Sequence, residues 1–86
     1  VDIDWEYPGG GGMDKTKGRP EDTKNFTSLL VELRAQLDAI GKAKGEHYLL
    51  SIAAPAGGAS SRIELAKIAL ILDFINLMSY DFYGAW

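Results

Sequence analysis

Three acidic residues alternate with apolar residues at the start of the chain: Asp2, Asp4 and Glu6. A period of two is the pattern of a β-strand, and it places these carboxyl groups on one face, about 6.6 Å apart. The opposite, apolar face must be covered by helices, so in a parallel barrel the acidic face is predicted to point into the interior. A buried row of like charges cannot stay fully ionised. At least one carboxyl group is then expected to hold its proton at neutral pH, which is what general acid catalysis requires.

Glu6 has the longest of these side chains and stands last before Pro8 and a run of four glycines. Parallel α/β barrels carry their chemistry at the carboxyl ends of the strands, so Glu6 is the candidate proton donor. Asp4, one step deeper, is placed to share a proton, and Asp2 is its electrostatic partner. The pattern alone also fits a solvated edge strand protected by charge, or a metal site with oxygen ligands.

The elements that must position these acids alternate in type. The alternation over residues 1–7 predicts a strand, and apolar runs predict two more over about 48–54 and 74–80. A long helix is predicted from Pro20 to a glycine-marked end, and a short helix is predicted around residues 65–72. The order strand, helix, strand, helix, strand predicts an α/β fold with a parallel sheet. The stripe expected to face the core of the long helix is Phe26, Leu29, Leu30, Leu33, Leu37 and Ile40, and Gly41 and Gly45 mark its end.

Composition narrows the function classes. The net charge is −3, and the basic residues are scattered, which argues against nucleic-acid binding. The absence of cysteine excludes disulfides, thiol nucleophiles and thiolate metal sites. No apolar run approaches the roughly 20 residues of a membrane helix. Three strands cannot close a barrel, which needs roughly 250 residues, so we expect residues 1–86 to be two and a half βα units of a larger domain, incomplete at both ends.

Two segments resemble one enzyme family. Val-Asp-Ile-Asp-Trp-Glu-Tyr-Pro at positions 1–8 resembles the signature strand of family 18 glycoside hydrolases, the chitinase family. The family pattern has a further Asp three residues before Asp2, which would precede Val1. Leu-Met-Ser-Tyr-Asp-Phe-Tyr-Gly-Ala-Trp at positions 77–86 is similar to the family's Met-x-Tyr-Asp strand end. The resemblance implies that residues 1–86 are part of a single catalytic barrel domain, a partial (β/α)8 TIM barrel, with the strands as about strands 4 to 6 and two intervening helices.

The resemblance also implies a reaction. It is hydrolysis of β-1,4-linked N-acetylglucosamine in chitin by a substrate-assisted, retaining mechanism, an exception to the scheme with two carboxylates. Glu6 would be the general acid and base, Asp4 would orient the substrate acetamide, and Asp2 would tune Asp4. Tyr80 would hydrogen-bond the acetamide. The residues implied to bind the sugar are Asp81, Met78, Tyr7, Trp86 as a stacking platform, and Tyr83 as a further candidate.

Several further expectations complete this interpretation. We expect no cofactor and no metal, chitin or chito-oligosaccharides as the partner, no nucleic acid or membrane, and a secreted, monomeric parent enzyme. The isolated chain is expected to be inactive. The alternatives are an endo-β-N-acetylglucosaminidase acting on glycoproteins and a chitin-binding lectin, which typically lacks an acid at the position of Glu6. Trp5, which faces away from the acids, is predicted to pack against helices, and His47 is predicted to be structural.

Overall fold

The computed structural model describes residues 1–10, 18–55 and 62–78. Within these ranges the chain forms three strands and two helices in alternating order, and the strands lie in one parallel sheet in the order β1, β2, β3. The predicted alternation and the parallel sheet are confirmed. The elements are β1 (Asp2–Ile3), α1 (Asp22–Lys44), β2 (Ser51–Pro55), α2 (Leu65–Ile68) and β3 (Phe74–Met78).

The register of the strands decides which residues share a face. Asp2 lies beside Ser51 and Ile3 beside Ile52, and β3 continues the register with Met78 beside Pro55. Because successive side chains point to opposite faces, Asp2 and Ser51 lie on one face of the sheet, and Ile3 and Ile52 lie on the other. The helices pack on the isoleucine face.

The core lies between that face and the helices. Trp5 packs against it, with its ring edge-on to Phe26 at a centroid distance of 5.6 Å and an interplanar angle of 74°. This contact confirms the prediction that Trp5 packs against a helix and not toward the acids. The buried apolar side chains are Phe26, Leu30, Leu50, Ile52, Ala54, Ile63 and Ile68.

Helix α1 differs from its prediction at its end and in its stripe. It continues through Gly41 to Lys44, and Gly45 ends it in the left-handed conformation with φ +70°, donating its N–H to the Gly41 carbonyl oxygen. Glycine suits such a terminus because it has no Cβ. Of the two glycines predicted to mark the end of the helix, Gly45 is confirmed and Gly41 is wrong, since Gly41 lies within the helix. In the stripe, Leu29 and Ile40 are 43% and 49% exposed, so the core face is narrower than predicted.

Strand β1 is also shorter than predicted, since only Asp2 and Ile3 pair with β2. Beyond Ile3 the backbone bonds partners outside the sheet: the Gly9 N–H donates to Asp22, and the Gly10 carbonyl accepts from Arg62. Strand β2 begins three residues later than predicted, and α2 has four residues. None of the helices within residues 1–10, 18–55 and 62–78 is long and apolar enough to cross a membrane.

Candidate active site

The acid row begins on β1 and continues past its end. Asp2 lies in the strand, and Asp4 and Glu6 follow it toward the carboxyl end of the sheet. All three side chains are exposed. The expectation of a shielded acidic face is therefore not met within the described residues. The apolar core packs on the opposite face of the strand, where Ile3 and Trp5 lie against it.

Asp2 has a partner that the sequence analysis missed. The Ser51 hydroxyl donates a hydrogen bond of 2.7 Å to Asp2 Oδ1, and Ser51 is only 3% exposed. The signal in the sequence was a lone hydroxyl residue at the start of an apolar strand. That signal identifies Ser51 only when the register of β1 on β2 is known, because a shift of one residue would send the hydroxyl to the helix face.

The backbone after Glu6 is fastened to the start of α1. The carboxylate of Asp22 accepts hydrogen bonds from the N–H groups of Arg19 (2.9 Å) and Gly9 (3.2 Å). The Arg19 bond is the main cause that lowers the pKa of Asp22, assisted by the Gly9 bond and the Arg19 guanidinium and opposed by burial. Hydrogen bonds from N–H groups favour the ionised carboxylate. Asp22 is 4% exposed, so these bonds lie in a largely dry environment.

Arg62 fastens the same segment from the other side. Its Nη1 donates to the Gly10 carbonyl oxygen at 2.5 Å, and its own carbonyl accepts from Thr23 Oγ1 at 2.7 Å. Gly9 has φ +85°, and a Cβ there would lie 3.2 Å from Cδ of Arg62. The positive φ favours glycine at this position, and the Arg62 side chain would have to shift slightly to admit a Cβ. The turn that follows Glu6 is thus held at fixed positions by α1 and by the segment before α2.

Two other predicted sugar-binding residues lie in the described chain. Tyr7 is half-buried and follows Glu6 through a cis peptide bond. Met78 is half-buried at the carboxyl end of β3, beside Pro55, and by alternation it shares the sheet face of Asp2. Met78 therefore stands at the edge of the sheet where Glu6 was expected to act. The remaining predicted site residues, Tyr80, Asp81, Tyr83 and Trp86, lie outside the described residues.

A second polar cluster occupies the amino end of the sheet. His47 Nε2 lies 2.6 Å from Asp73 Oδ1, and the Leu50 N–H and Arg34 Nη1 donate to Asp73 Oδ2 at 2.7 and 2.9 Å. His47 thus has a structural partner, in agreement with its prediction. In TIM barrels this end of the sheet serves stability and the opposite end serves catalysis. Within the described ranges, no group of three or more His, Cys, Asp and Glu side chains is placed to hold a metal ion.

The family model "Glycosyl hydrolases family 18" matches residues 1–86, and the chain belongs to this family. Chitinase A1 of Niallia circulans is 54% identical over 87 residues, which covers 100% of this chain and 12% of the relative. Chitinase 1 of Aphanocladium album is 44% identical over 89 residues and is covered to 19%. The chain therefore spans only a small part of the length of the relatives it matches.

Solved structures give the same family and the fold. The cell-surface-expressed chitinase ChiW of Paenibacillus superposes with a TM-score of 0.90 at 49% identity, over 99% of this chain and 10% of that one. A family 18 N-acetylglucosaminidase of Paenibacillus barengoltzii superposes with a TM-score of 0.87 at 41% identity, over 100% of this chain and 25% of that one. The α/β architecture of the chain is therefore that of family 18 enzymes, whose barrel is of the TIM type.

Proposed function

We propose that this chain is part of the catalytic barrel of a secreted, monomeric chitinase and carries the proton donor of that enzyme, Glu6. In this proposal the three strands are strands 4 to 6 of the barrel. The substrate is chitin or a chito-oligosaccharide, and the bond cleaved is the β-1,4 linkage between N-acetylglucosamine units. The 86 residues in isolation do not hydrolyse it, because five strands of the barrel are absent.

In the first step, the Glu6 carboxyl group gives its proton to the glycosidic oxygen. The bond from the anomeric carbon to that oxygen breaks, and the leaving sugar departs as an alcohol. The acetamide oxygen of the substrate bonds to the anomeric carbon and forms an oxazolinium ion. Asp4 orients the acetamide and stabilises its developing positive charge, and Asp2 acts on Asp4.

In the second step, the Glu6 carboxylate takes a proton from water. The water oxygen bonds to the anomeric carbon as the bond to the acetamide oxygen breaks, which restores the acetamide and retains the anomeric configuration. Tyr80 hydrogen-bonds the acetamide during both steps. The sugar is held by Asp81, Met78, Tyr7, Trp86 and Tyr83.

The observation that carries this proposal is the placement of the acid row on a family 18 strand. Asp2 is paired in the parallel sheet, and Glu6 follows it toward the carboxyl end, where barrel enzymes act. The turn just beyond Glu6 is fixed by Asp22 and Arg62. A fixed main chain next to a catalytic acid favours catalysis, because small misplacements of a reacting group cost large factors in rate. The presence of Glu6 also favours an enzyme over a chitin-binding lectin.

A second candidate function is release of N-acetylglucosamine from short oligosaccharides or glycans. It is favoured by the superposition on the structure described as a family 18 N-acetylglucosaminidase. The same acid row would serve this reaction. Product analysis separates the two functions, since a chitinase cleaves polymeric chitin and the alternative enzyme releases mainly the monosaccharide or cleaves glycoproteins.

The test is Glu6→Gln in the full-length protein, assayed on chitin oligomers. We expect kcat to fall by at least about a hundredfold, because the amide cannot donate the proton, with oligomer binding retained. Glu21→Gln is the matched control, since Glu21 is an exposed carboxylate at the start of α1, and its rate should equal that of the parent. A Glu6→Gln variant as fast as the parent would refute the proposal.

A further inference from the structure

The buried hydroxyl of Ser51 faces the innermost acid of the row. Ser51 is 3% exposed and stands at the start of the central strand β2, directly beside Asp2 in the register. Its hydroxyl donates to Asp2 Oδ1 at 2.7 Å. A hydrogen bond from a hydroxyl to a carboxylate is assisted by the charge and is stronger than a bond between neutral groups.

The Ser51 backbone leaves this hydroxyl little freedom. The Ser51 N–H donates to the Val1 carbonyl oxygen at 2.9 Å, and the residue is paired with β1 on one side and β3 on the other. By contrast, Asp2 is exposed at the end of a strand with only two paired residues. The bond therefore joins an exposed carboxylate to a buried donor on the central strand, so Ser51 orients Asp2 more than Asp2 orients Ser51.

We infer that Ser51 is a positioning residue for the acid row: it fixes the carboxylate of Asp2, through which Asp4 is oriented. This inference rests on the proposed function, in which Asp2 acts on Asp4. Ser51 lies on β2 and acts from the strand adjacent to the one that carries the acids. It has no role in proton transfer and does not touch the sugar.

The test compares Ser51→Thr with Ser51→Val in the full-length protein. Threonine and valine have nearly the same shape and suit a strand equally, but only threonine keeps a hydroxyl. We expect Ser51→Thr to stay within about twofold of the parent kcat, and Ser51→Val to lose about tenfold, a typical effect of losing a hydrogen bond to a charged group. KM should be unchanged in both, since Ser51 does not contact the substrate. Ser51→Ala, which adds no atoms, repeats the comparison if the extra methyl group does not fit.

A double-mutant cycle separates positioning from a merely structural role. If Ser51 acts through Asp2, removing its hydroxyl in an Asp2→Ala background should change kcat by less than about twofold. An equal loss of kcat in both backgrounds, or equal rates for Ser51→Thr and Ser51→Val, would overturn the inference. Asp2→Ala and Glu6→Gln also report on the proposed function independently. If both retain the parent rate, the proposed function fails, whatever the Ser51 variants do.

Discussion

His47 and Asp73 lie 26 residues apart in the sequence, yet His47 Nε2 approaches Asp73 Oδ1 to 2.6 Å. The same carboxylate accepts hydrogen bonds from the Leu50 N–H and from Arg34 of α1. The Asp73 N–H in turn donates to the Leu50 carbonyl oxygen at 2.8 Å. Asp73 thus joins the amino ends of β2 and β3 to the middle of α1, away from the candidate active site.

This cluster predicts a loss of stability in acid. The hydrogen bond from His47, then that from the Leu50 N–H and that from Arg34, lower the pKa of Asp73 from 3.8 to about 2. A carboxyl group whose pKa is lower in the folded state stabilises the fold above its unfolded-state pKa. The contribution of Asp73 to the free energy of unfolding is therefore complete at neutral pH and is lost as the pH falls from 3.8 to about 2. We expect Asp73→Asn to flatten the fall of the unfolding free energy in this range, measured by urea unfolding of the full-length protein at several pH values.

The control for this prediction is Glu32→Gln. It makes the same change from carboxyl to amide at an exposed position on α1, where Glu32 accepts a hydrogen bond from Gln36 one turn later. This variant should follow the pH dependence of the parent. The interpretation of Asp73 is wrong if Asp73→Asn keeps the full acid dependence between pH 4 and pH 2.

Substitution of Gly41 by alanine is expected to destabilise the protein, although the same change within a helix usually stabilises it. Replacing glycine by alanine inside a helix usually stabilises it by up to about 1 kcal/mol. At Gly41 an added Cβ would lie far inside van der Waals contact with the carbonyl oxygen of Glu46, in a buried position. Glu46 cannot move away freely, because its backbone N–H donates a hydrogen bond of 2.8 Å to the Gly41 carbonyl oxygen. We expect Gly41→Ala to destabilise the protein by about 1–3 kcal/mol, the typical cost of overpacking.

Ser28→Ala is the matched control for Gly41→Ala. Ser28 is exposed in the same helix, and alanine there should be neutral or stabilising by a few tenths of a kcal/mol, as the difference in helix propensity indicates. Both variants are compared by thermal and urea unfolding. If Gly41→Ala proved as stable as Ser28→Ala, the close approach of Glu46 to the helix would be contradicted.

The sequence predicts the parts of this structure that depend on local patterns. Alternation and helical periodicity predict the order of the elements. Because Trp5 lies between Asp4 and Glu6 in a strand pattern, its side chain is predicted on the opposite face, which the helices cover. These patterns need only the geometry of a strand or a helix. The family motifs also predict the candidate acid, because each motif is an unbroken stretch of sequence that can be recognised without the fold.

The contacts that fix the site could not be predicted in this way. Ser51 and Asp2 are 49 residues apart, and whether they share a face depends on the register of two strands, which tertiary packing sets. The burial of the acid row was predicted incorrectly for the described residues because it depends on what packs over that face. The alternation of apolar and polar residues along a strand predicts which face a side chain is on, but not which segment packs against that face.

The last prediction concerns Asp22, whose carboxylate bonds the N–H groups of Gly9 and Arg19. Asp22→Ala removes the acceptor for Gly9, so the turn after Glu6 should open more often, with hydrogen exchange at Gly9 about tenfold faster or more. Glu21→Ala is the control: Glu21 is the exposed neighbour, and its carboxylate lies 3.4 Å from the Arg19 guanidinium. Such surface pairs contribute little to stability. In the proposed enzyme, Asp22→Ala should also lower kcat, because the main chain next to Glu6 is released. Hydrogen-exchange mass spectrometry of the segment 5–10 measures the first effect, and unchanged exchange there would show that Asp22 does not hold the turn.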